Sequence, residues 1–467
     1  LTDVTLQSFG ASRTVTGSRH LITAGDMQVL LDCGLFQGRR HESIERNRHV
    51  PVRPNAVVLS HAHLDHCGAL PALVRDGYRG PIHATAATAD LCMAMLMDSA
   101  HIAESDARHL NKRRKKGERE IEPIYTQEDA ARALGLFVRH GYDKTFEVGR
   151  GVAATFQDAG HIIGSAGVLL QVDDGADVYF TGDVGRRMYP ILRDPAPIPN
   201  ADIVLSECTY GTRDHPDPTI AEGHLERIVT RAVEEGGRIL IPAFSVGRTQ
   251  NLVYALARAW HEGRMPRIPV FVDSPLAKKA TRVFVDHPSL YDMEIEEFMS
   301  TGGEPFHPEG VHYTSTVDES KALNDRDGPF IVIAGSGMCE GGRILHHLRR
   351  HLSDPTTTVL FVGWCAPHTL GRRILERRTP IRIYGKEVRM RAQIEKINAY
   401  SAHAGKTDLI EFLAPARDMG APVYLVHGDE DTALSFKETL HAEGHKEVVV
   451  PETYASYALK PRGALAR

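Results

Sequence analysis

The run SHAHLDHCG at 60–68, directly after the apolar stretch NAVVL, constrains this chain more than any other feature. It sets His61, His63, Asp65 and His66, four side chains of metal-ligand type, within six residues. Packing does not explain the group, because crowded imidazoles and a carboxylate need partners when buried, and a cation supplies them. A single residue between His61 and His63 sends both rings to the same side of an extended segment. Asp65 and His66 then fall at the start of the next helix and face a second ion. Imidazole and carboxylate ligands suit zinc, with manganese and iron left open.

Three further candidates sit at turns: His161 in AGHIIGSAG, Asp183 in TGD and His427 in VHGD. Each is weak alone, since a lone histidine at a strand end is usually structural. Together they complete two sites. His61, His63 and His161 are expected to hold one ion, Asp65, His66 and His427 the other, with Asp183 bridging. Asp32, which closes the strand-like QVLLDCG, is expected behind the ligands, orienting a water or an imidazole.

The rest of the chain reads as α/β. Strands alternate with helices over the first ~200 residues, and residues 88–110 carry apolar residues at helical spacings that suggest a packed helix. From 203 onward five apolar runs recur: IVLSE, RILIPAF, IPVFVDSP, FIVIAGSG and TVLFVGW. Apolar runs separated by helices predict a parallel sheet with crossovers. Its ligands are expected at the carboxyl ends of the strands, near Glu207, Ser245, Arg248, Asp273, Ser274, Ser336 and Gly337. The chain returns to a small α/β pattern after about 386. The final dozen residues read as a tail, and the basic run Lys112, Arg113, Arg114, Lys115 and Lys116 as a solvated loop.

Composition narrows the classes. The chain has 467 residues, enough for two or three domains, and a formal charge of −5, so nucleic-acid binding through a broadly basic surface is disfavoured. A local positive channel remains compatible with it. No secretory leader or membrane helix is expected. Six scattered cysteines without a C-x-x-C pair point to a reducing cytoplasm rather than a disulfide framework.

The order Asp32, HxHxDH, His161, Asp183 resembles the metallo-β-lactamase superfamily. Glu207, His403 and His427 resemble the three added motifs of its β-CASP nucleases. The likeness extends to SECTYG (206–211), IPAFSVGRTQ (241–250), DSP (273–275), AGSGMCEGGR (334–343) and AYSAHA (399–404). It implies an αββα metallo-β-lactamase sandwich with an inserted parallel-sheet β-CASP domain: residues 1–207, then 208–385 inserted, then 386–467 completing the sandwich. His427 resembles the RNA-cleaving branch, where the DNA-processing branch tends to carry Val. Cys208 departs from the commoner Ser, Gly or Ala and reads as neutral.

The implied enzyme is a ribonuclease with two Zn2+ per chain, or Mn2+, acting on single-stranded RNA and forming a homodimer. Its expected chemistry is a two-metal-activated hydroxide attacking phosphorus, with His403 as general acid and Glu207 holding it protonated. Asp32, Asp65 and Asp183 complete the expected catalytic set. Arg248, Ser274, Ser336, Gly337 and Arg343 are expected to contact RNA, the glycines of 334–343 letting backbone N–H groups meet a phosphate. Competing readings are a DNA nuclease, a small-molecule hydrolase such as a thioesterase or lactonase, and a non-catalytic scaffold. Internal cutting and 5′ exonucleolytic cutting are not distinguished.

Overall fold

The structure, a computed structural model, describes residues 2–38, 40–115, 119–216 and 218–462. The chain divides into two compact units, one of residues 1–188, 193–214 and 403–467, the other of 189–192 and 215–402.

The first unit holds two seven-stranded sheets. In spatial order, the first runs Ser456–Leu459, Val4–Gly10, Arg19–Ala24, Met27–Leu31, Ala56–Val58, Ile82–Thr85, Phe137–His140. The second runs Val448–Val449, Val423–Val426, Ile203–Glu207, Val178–Phe180, Ala166–Val172, Val152–Asp158, Thr145–Gly149. Alternate residues point to opposite faces of a strand, and here the inner faces fill one core. Leu6, Ile22, Val29, Leu31 and Val58 of the first sheet meet Phe156, Val168, Leu170, Phe180 and Leu205 of the second. The outer face of the second sheet is covered by helices Lys406–Met419 and Glu430–Ala442, through Leu409, Leu413, Phe436 and Leu440. The result is the αββα sandwich expected of the fold class.

The second unit is built on a six-stranded, wholly parallel sheet in the order Val311–Tyr313, Val270–Val272, Phe330–Ala334, Arg238–Pro242, Thr358–Phe361, Gln393–Lys396. The central strands are buried on both faces, which is why they read as unbroken apolar runs. Ile239, Ile241 and Ile333 pack on Leu225, Val229, Leu252 and Leu256 on one side. Leu240, Val332 and Phe361 pack on Ile344, Leu348 and Ile374 on the other.

Several expectations are corrected. IVLSE, which its apolar pattern groups with the inserted sheet while the bounds 1–207 assign it to the sandwich, is the third strand of the second sandwich sheet, paired to Val178–Phe180 and Val423–Val426. Glu207 therefore ends a sandwich strand, whereas Ser274 and Gly337 follow strands of the parallel sheet. The parallel sheet runs past 385, because Gln393–Lys396 pairs with Thr358–Phe361. The last dozen residues are not all tail: Ser456–Leu459 adds a strand to Val4–Gly10. Residues 88–110 lie in a helix, Ala86–Lys112, capped by the Thr85 side chain, although Met93 is exposed. Of the basic run, Arg113, Arg114 and Lys115 are exposed beyond that helix, and Lys116 lies outside the described residues. Among the described residues no helix is long and apolar enough to cross a membrane.

Candidate metal centre

His61, His63, Asp65 and His66 lie just past the Ala56–Val58 strand, where the backbone turns into the short helix Leu64–Cys67. The loop is held down tightly. Cys33 N–H donates to His66 O at 2.7 Å and Leu35 N–H to Leu64 O at 2.8 Å. A Cβ on Gly34 would stand 1.6 Å from the Asp65 carbonyl, so only glycine permits this approach. His161 follows Gly160 at φ +64°, and Asp183 follows Gly182 at φ +55°. His427 leaves the Val423–Val426 strand at φ 49°, and Asp32 is likewise left-handed at 60°. Two non-glycine residues in this region at one centre mark stored backbone strain.

The side chains gather into two groups that meet at Asp183. Ligand atoms of His61, His63, His161 and Asp183 lie within 4.8 Å of one another, as do those of Asp65, His66 and His427. Asp183 Oδ2 is 3.4 Å from His61 Nε2 and 3.5 Å from His161 Nε2, while its Oδ1 is 3.2 Å from His66 Nε2. Each oxygen of this buried carboxylate thus faces a different group, and Oδ1 accepts no hydrogen bond.

Hydrogen bonding behind the site fixes the tautomers. Ser60 donates its hydroxyl proton to Asp32 Oδ2 at 2.9 Å, so its contact of 3.0 Å with His61 Nδ1 must be donated by the imidazole. His61 Nε2 is then bare. His66 Nδ1 donates to Asp32 Oδ2 at 2.6 Å, leaving its Nε2 bare. Thr209 donates to His427 O at 2.9 Å and accepts from His427 Nδ1 at 3.0 Å, leaving that Nε2 bare too. Yet His66 Nε2 and His427 Nε2 stand 3.0 Å apart. Two lone pairs facing each other across that gap repel unless a metal ion or a proton lies between them. This donor set fits a metal, and nitrogen with carboxylate oxygen fits zinc.

Charge in the site follows the same division. Burial pushes His61 and His161 well down and His63 to about 4, which keeps them neutral, the ligating form. Burial opposes charge on His66, but Asp183 and Asp32 raise it well above its ordinary value, so there a proton competes with an ion. Asp65 falls to about 2: burial raises it, and the His427 hydrogen bond with the His66, His427 and His63 charges outweighs burial.

A third group, Asp183, Glu207 and His403, adjoins the first. Glu207 Oε1 accepts from Val184 N–H at 2.7 Å and from His403 Nδ1 at 3.2 Å, and Oε2 from Thr209 N–H at 3.2 Å. With its oxygens so occupied, Glu207 holds His403 rather than an ion. His403 is also tied by backbone, bridged to Gly185, with Ala404 N–H donating to Val184 O at 2.8 Å. Burial works against its charge, but Glu207 and Asp183 raise its pKa to about 10.

Asp32, expected behind the ligands and in the catalytic set, is wholly buried and accepts hydrogen bonds from Ser60 and His66. Ser60 and Thr209 were not singled out from the sequence, although both lie inside quoted motifs. The expected RNA contacts fall in the second unit, and most have internal tasks there. Arg248 donates to Val362 O. Ser274 caps helix Pro275–Asp286. Ser336 Oγ accepts from Glu340 and Gly341 N–H, folding its own turn. Arg343 pairs with the buried Asp273 at 2.7 Å. Gly337 carries no such bond through a side chain.

An αββα sandwich with a buried His/Asp cage at its strand ends defines a metallo-hydrolase. Comparison with known proteins narrows this. Residues 27–238 match the Beta-lactamase superfamily domain, 249–374 the Beta-Casp domain, and 387–451 the Zn-dependent metallo-hydrolase RNA specificity domain. The chain is 38% identical to Ribonuclease TTHA0252 of Thermus thermophilus over 94% of its own length and 96% of that protein's. It is 28% identical to Transcription termination factor FttA of Methanosarcina mazei, over 94% of this chain and 69% of that one. A crystal structure of an Enterococcus faecalis protein of unknown function shares the fold, with a TM-score of 0.54 at 14% identity, covering 98% of this chain and 100% of that one. The chain belongs to the β-CASP family of metal-dependent nucleases in the metallo-β-lactamase superfamily.

Proposed function

We propose that this chain is a zinc-dependent ribonuclease that hydrolyses phosphodiester bonds of single-stranded RNA in a reducing cytoplasm. The observation that carries the reading is Asp183, whose two oxygens face two separate imidazole groups, with the His403–Glu207 pair beside it. RNA as substrate is supported by the ribonuclease and termination-factor relatives and by the RNA specificity domain. The six cysteines, all free and buried, agree with a reducing compartment.

His61, His63 and His161 would hold one zinc ion, Asp65, His66 and His427 a second, and Asp183 would join them. Such a pair, when bound, supplies a water acidified towards a pKa of ~7 and positive charge for the phosphate. The chain does the rest. Asp32, Ser60 and Thr209 keep three imidazoles in the tautomer that presents Nε2. As water adds to phosphorus, the P–O3′ bond breaks and its electron pair leaves with the 3′ oxygen. His403, charged and held through Nδ1 by Glu207, delivers the Nε2 proton to that oxygen. The products are a 5′-phosphate and a 3′-hydroxyl, and His403 regains its proton from solvent. In the second unit the 334–343 loop is the RNA contact this reading favours, since the Gly337 and Met338 N–H groups find no acceptor among the described residues. Arg248, Ser274, Ser336 and Arg343 would shape that rim more than touch phosphate.

The test is a 5′-labelled RNA and its DNA twin, incubated with metal-loaded protein with and without chelator, alongside metal quantification and sedimentation. Two zinc ions per chain and chelator-sensitive cutting of the RNA alone are expected. An internal ladder identifies an endonuclease, and immediate release of labelled mononucleotide a 5′ exonuclease. Fewer than two tightly held ions, or an untouched RNA, overturns the reading. Sedimentation at twice the chain mass is expected for the homodimer that family resemblance implies.

A further inference from the structure

Two neighbouring strands of the parallel sheet, Arg238–Pro242 and Thr358–Phe361, lie in register with Leu240 beside Val359. The loop leaving the carboxyl end of each carries a large exposed aromatic, Phe244 at 46% and Trp364 at 42% exposure. Their neighbours Ala243, Val246, Val362 and Cys365 are buried, so both loops are anchored beside the exposed aromatics. Two such rings left in water at adjacent strand ends are exposure that packing does not require.

The 334–343 loop, which leaves the neighbouring strand Phe330–Ala334, reaches both loops. A Cβ on Gly337 would come within 3.3 Å of the Phe244 ring, so the glycine lets loop backbone lie against that ring. On the other side Cys365 Sγ is 3.9 Å from Gly337 O, which joins the loop to the residue after Trp364. Burial pushes the Cys365 thiol up to about 11, and the charges of Lys396 and Arg372 pull against that rise. Lys396 is exposed and pairs with Phe361 across the strands. Arg372 also bonds Glu376, and Glu340, the acid of the loop, accepts from Leu370 N–H at 2.6 Å.

We propose that Phe244 and Trp364 form a platform on which unpaired bases of single-stranded RNA stack, with Lys396 and the Gly337–Met338 backbone meeting the phosphates between them. The inference rests on the ribonuclease reading and adds how the strand is gripped. Every base offers a flat face to an aromatic ring, so the grip tolerates any sequence, whereas a duplex hides those faces. Loss of one stacked base lowers affinity roughly 5- to 150-fold.

The probe is a 2′-O-methylated single-stranded oligoribonucleotide, compared with an abasic strand of equal length and with a duplex, each added to the full zinc-loaded chain. The chain has two tryptophans, and Trp260 is buried, so a change in fluorescence on binding reports Trp364. The base-bearing strand is expected to quench it, and the abasic strand and duplex are not. Phe244→Leu and Trp364→Leu are expected to weaken binding of the base-bearing strand within that range and leave abasic binding unchanged. Phe244→Tyr is expected to bind as the parent. Equal quenching by the abasic strand, tighter binding of the duplex, unaltered affinity in both Leu variants, or equal loss on the abasic strand overturns the platform. Protein that holds zinc but neither binds nor cuts any RNA sinks the ribonuclease reading instead. Protein that cuts RNA while both Leu variants bind as the parent sinks the platform alone.

Discussion

His403 Nδ1 stands 3.2 Å from Glu207 Oε1 and 3.8 Å from Asp183 Oδ2. An acid acts only on the leaving oxygen, so His403→Ala is expected to lose roughly 10²–10⁴-fold in cutting rate while its zinc content is unchanged. A substrate with a more acidic leaving group should recover most of that loss. Asp183→Asn is expected to lose zinc and activity together, measured by metal analysis and the same assay. Asp273 makes a different case, in the second unit. Burial raises its carboxyl, but hydrogen bonds from His347, Ser320, Thr314 and Arg343 outweigh this and hold it well below the carboxylate range. A depressed folded pKa contributes stability above the unfolded value near ~4, and that stability is lost as pH falls through the folded value. Asp273→Asn is therefore expected to cost about 3 kcal/mol at neutral pH and to flatten the acid side of the denaturation profile. The cage was legible in the sequence because ligand-type side chains crowd into few residues and end their strands. The Arg343–Asp273 pair was not, because 70 residues separate its members and an arginine beside glycines reads equally well as a phosphate contact. Thr209 is invisible for the same reason, since its partner His427 is 218 residues away.

Strands were easier to find than to assign. The apolar runs of the parallel sheet stand out because both faces are covered. IVLSE looks identical to them, with all five residues buried, yet it belongs to the sandwich, since a doubly buried run carries no mark of its sheet. QIEK at 393–396 has no fully buried residue, and this edge strand hid the true extent of the insertion. The 456–459 strand hid in a similar way: only Leu459 is buried, and its partner lies at the other end of the sequence. It nonetheless shields the edge of Val4–Gly10, and Tyr457 and Leu459 pack on the sandwich core. Arg462 adds an ion pair to Asp202 at 3.4 Å. Truncation after Ala455 is expected to lower the melting temperature and to promote aggregation through the bared edge, read by calorimetry and light scattering.

Each unit has its own core, the sandwich around Phe156 and Phe180 and the parallel sheet around Ile241 and Ile333. All the candidate ligands belong to the first. Because a ligand stabilises only what it binds, chelation is expected to lower one calorimetric transition and leave the other in place. A single transition that moves as a whole would show the two melting together. The first unit is also discontinuous in sequence. Its opening strand pairs with residues 456–459, and its cage waits for His427. During synthesis the polypeptide emerges from the ribosome in order, so more than four hundred residues are out before the last imidazole exists. Until those residues are made, the nascent chain carries an open first sheet and an unfinished cage.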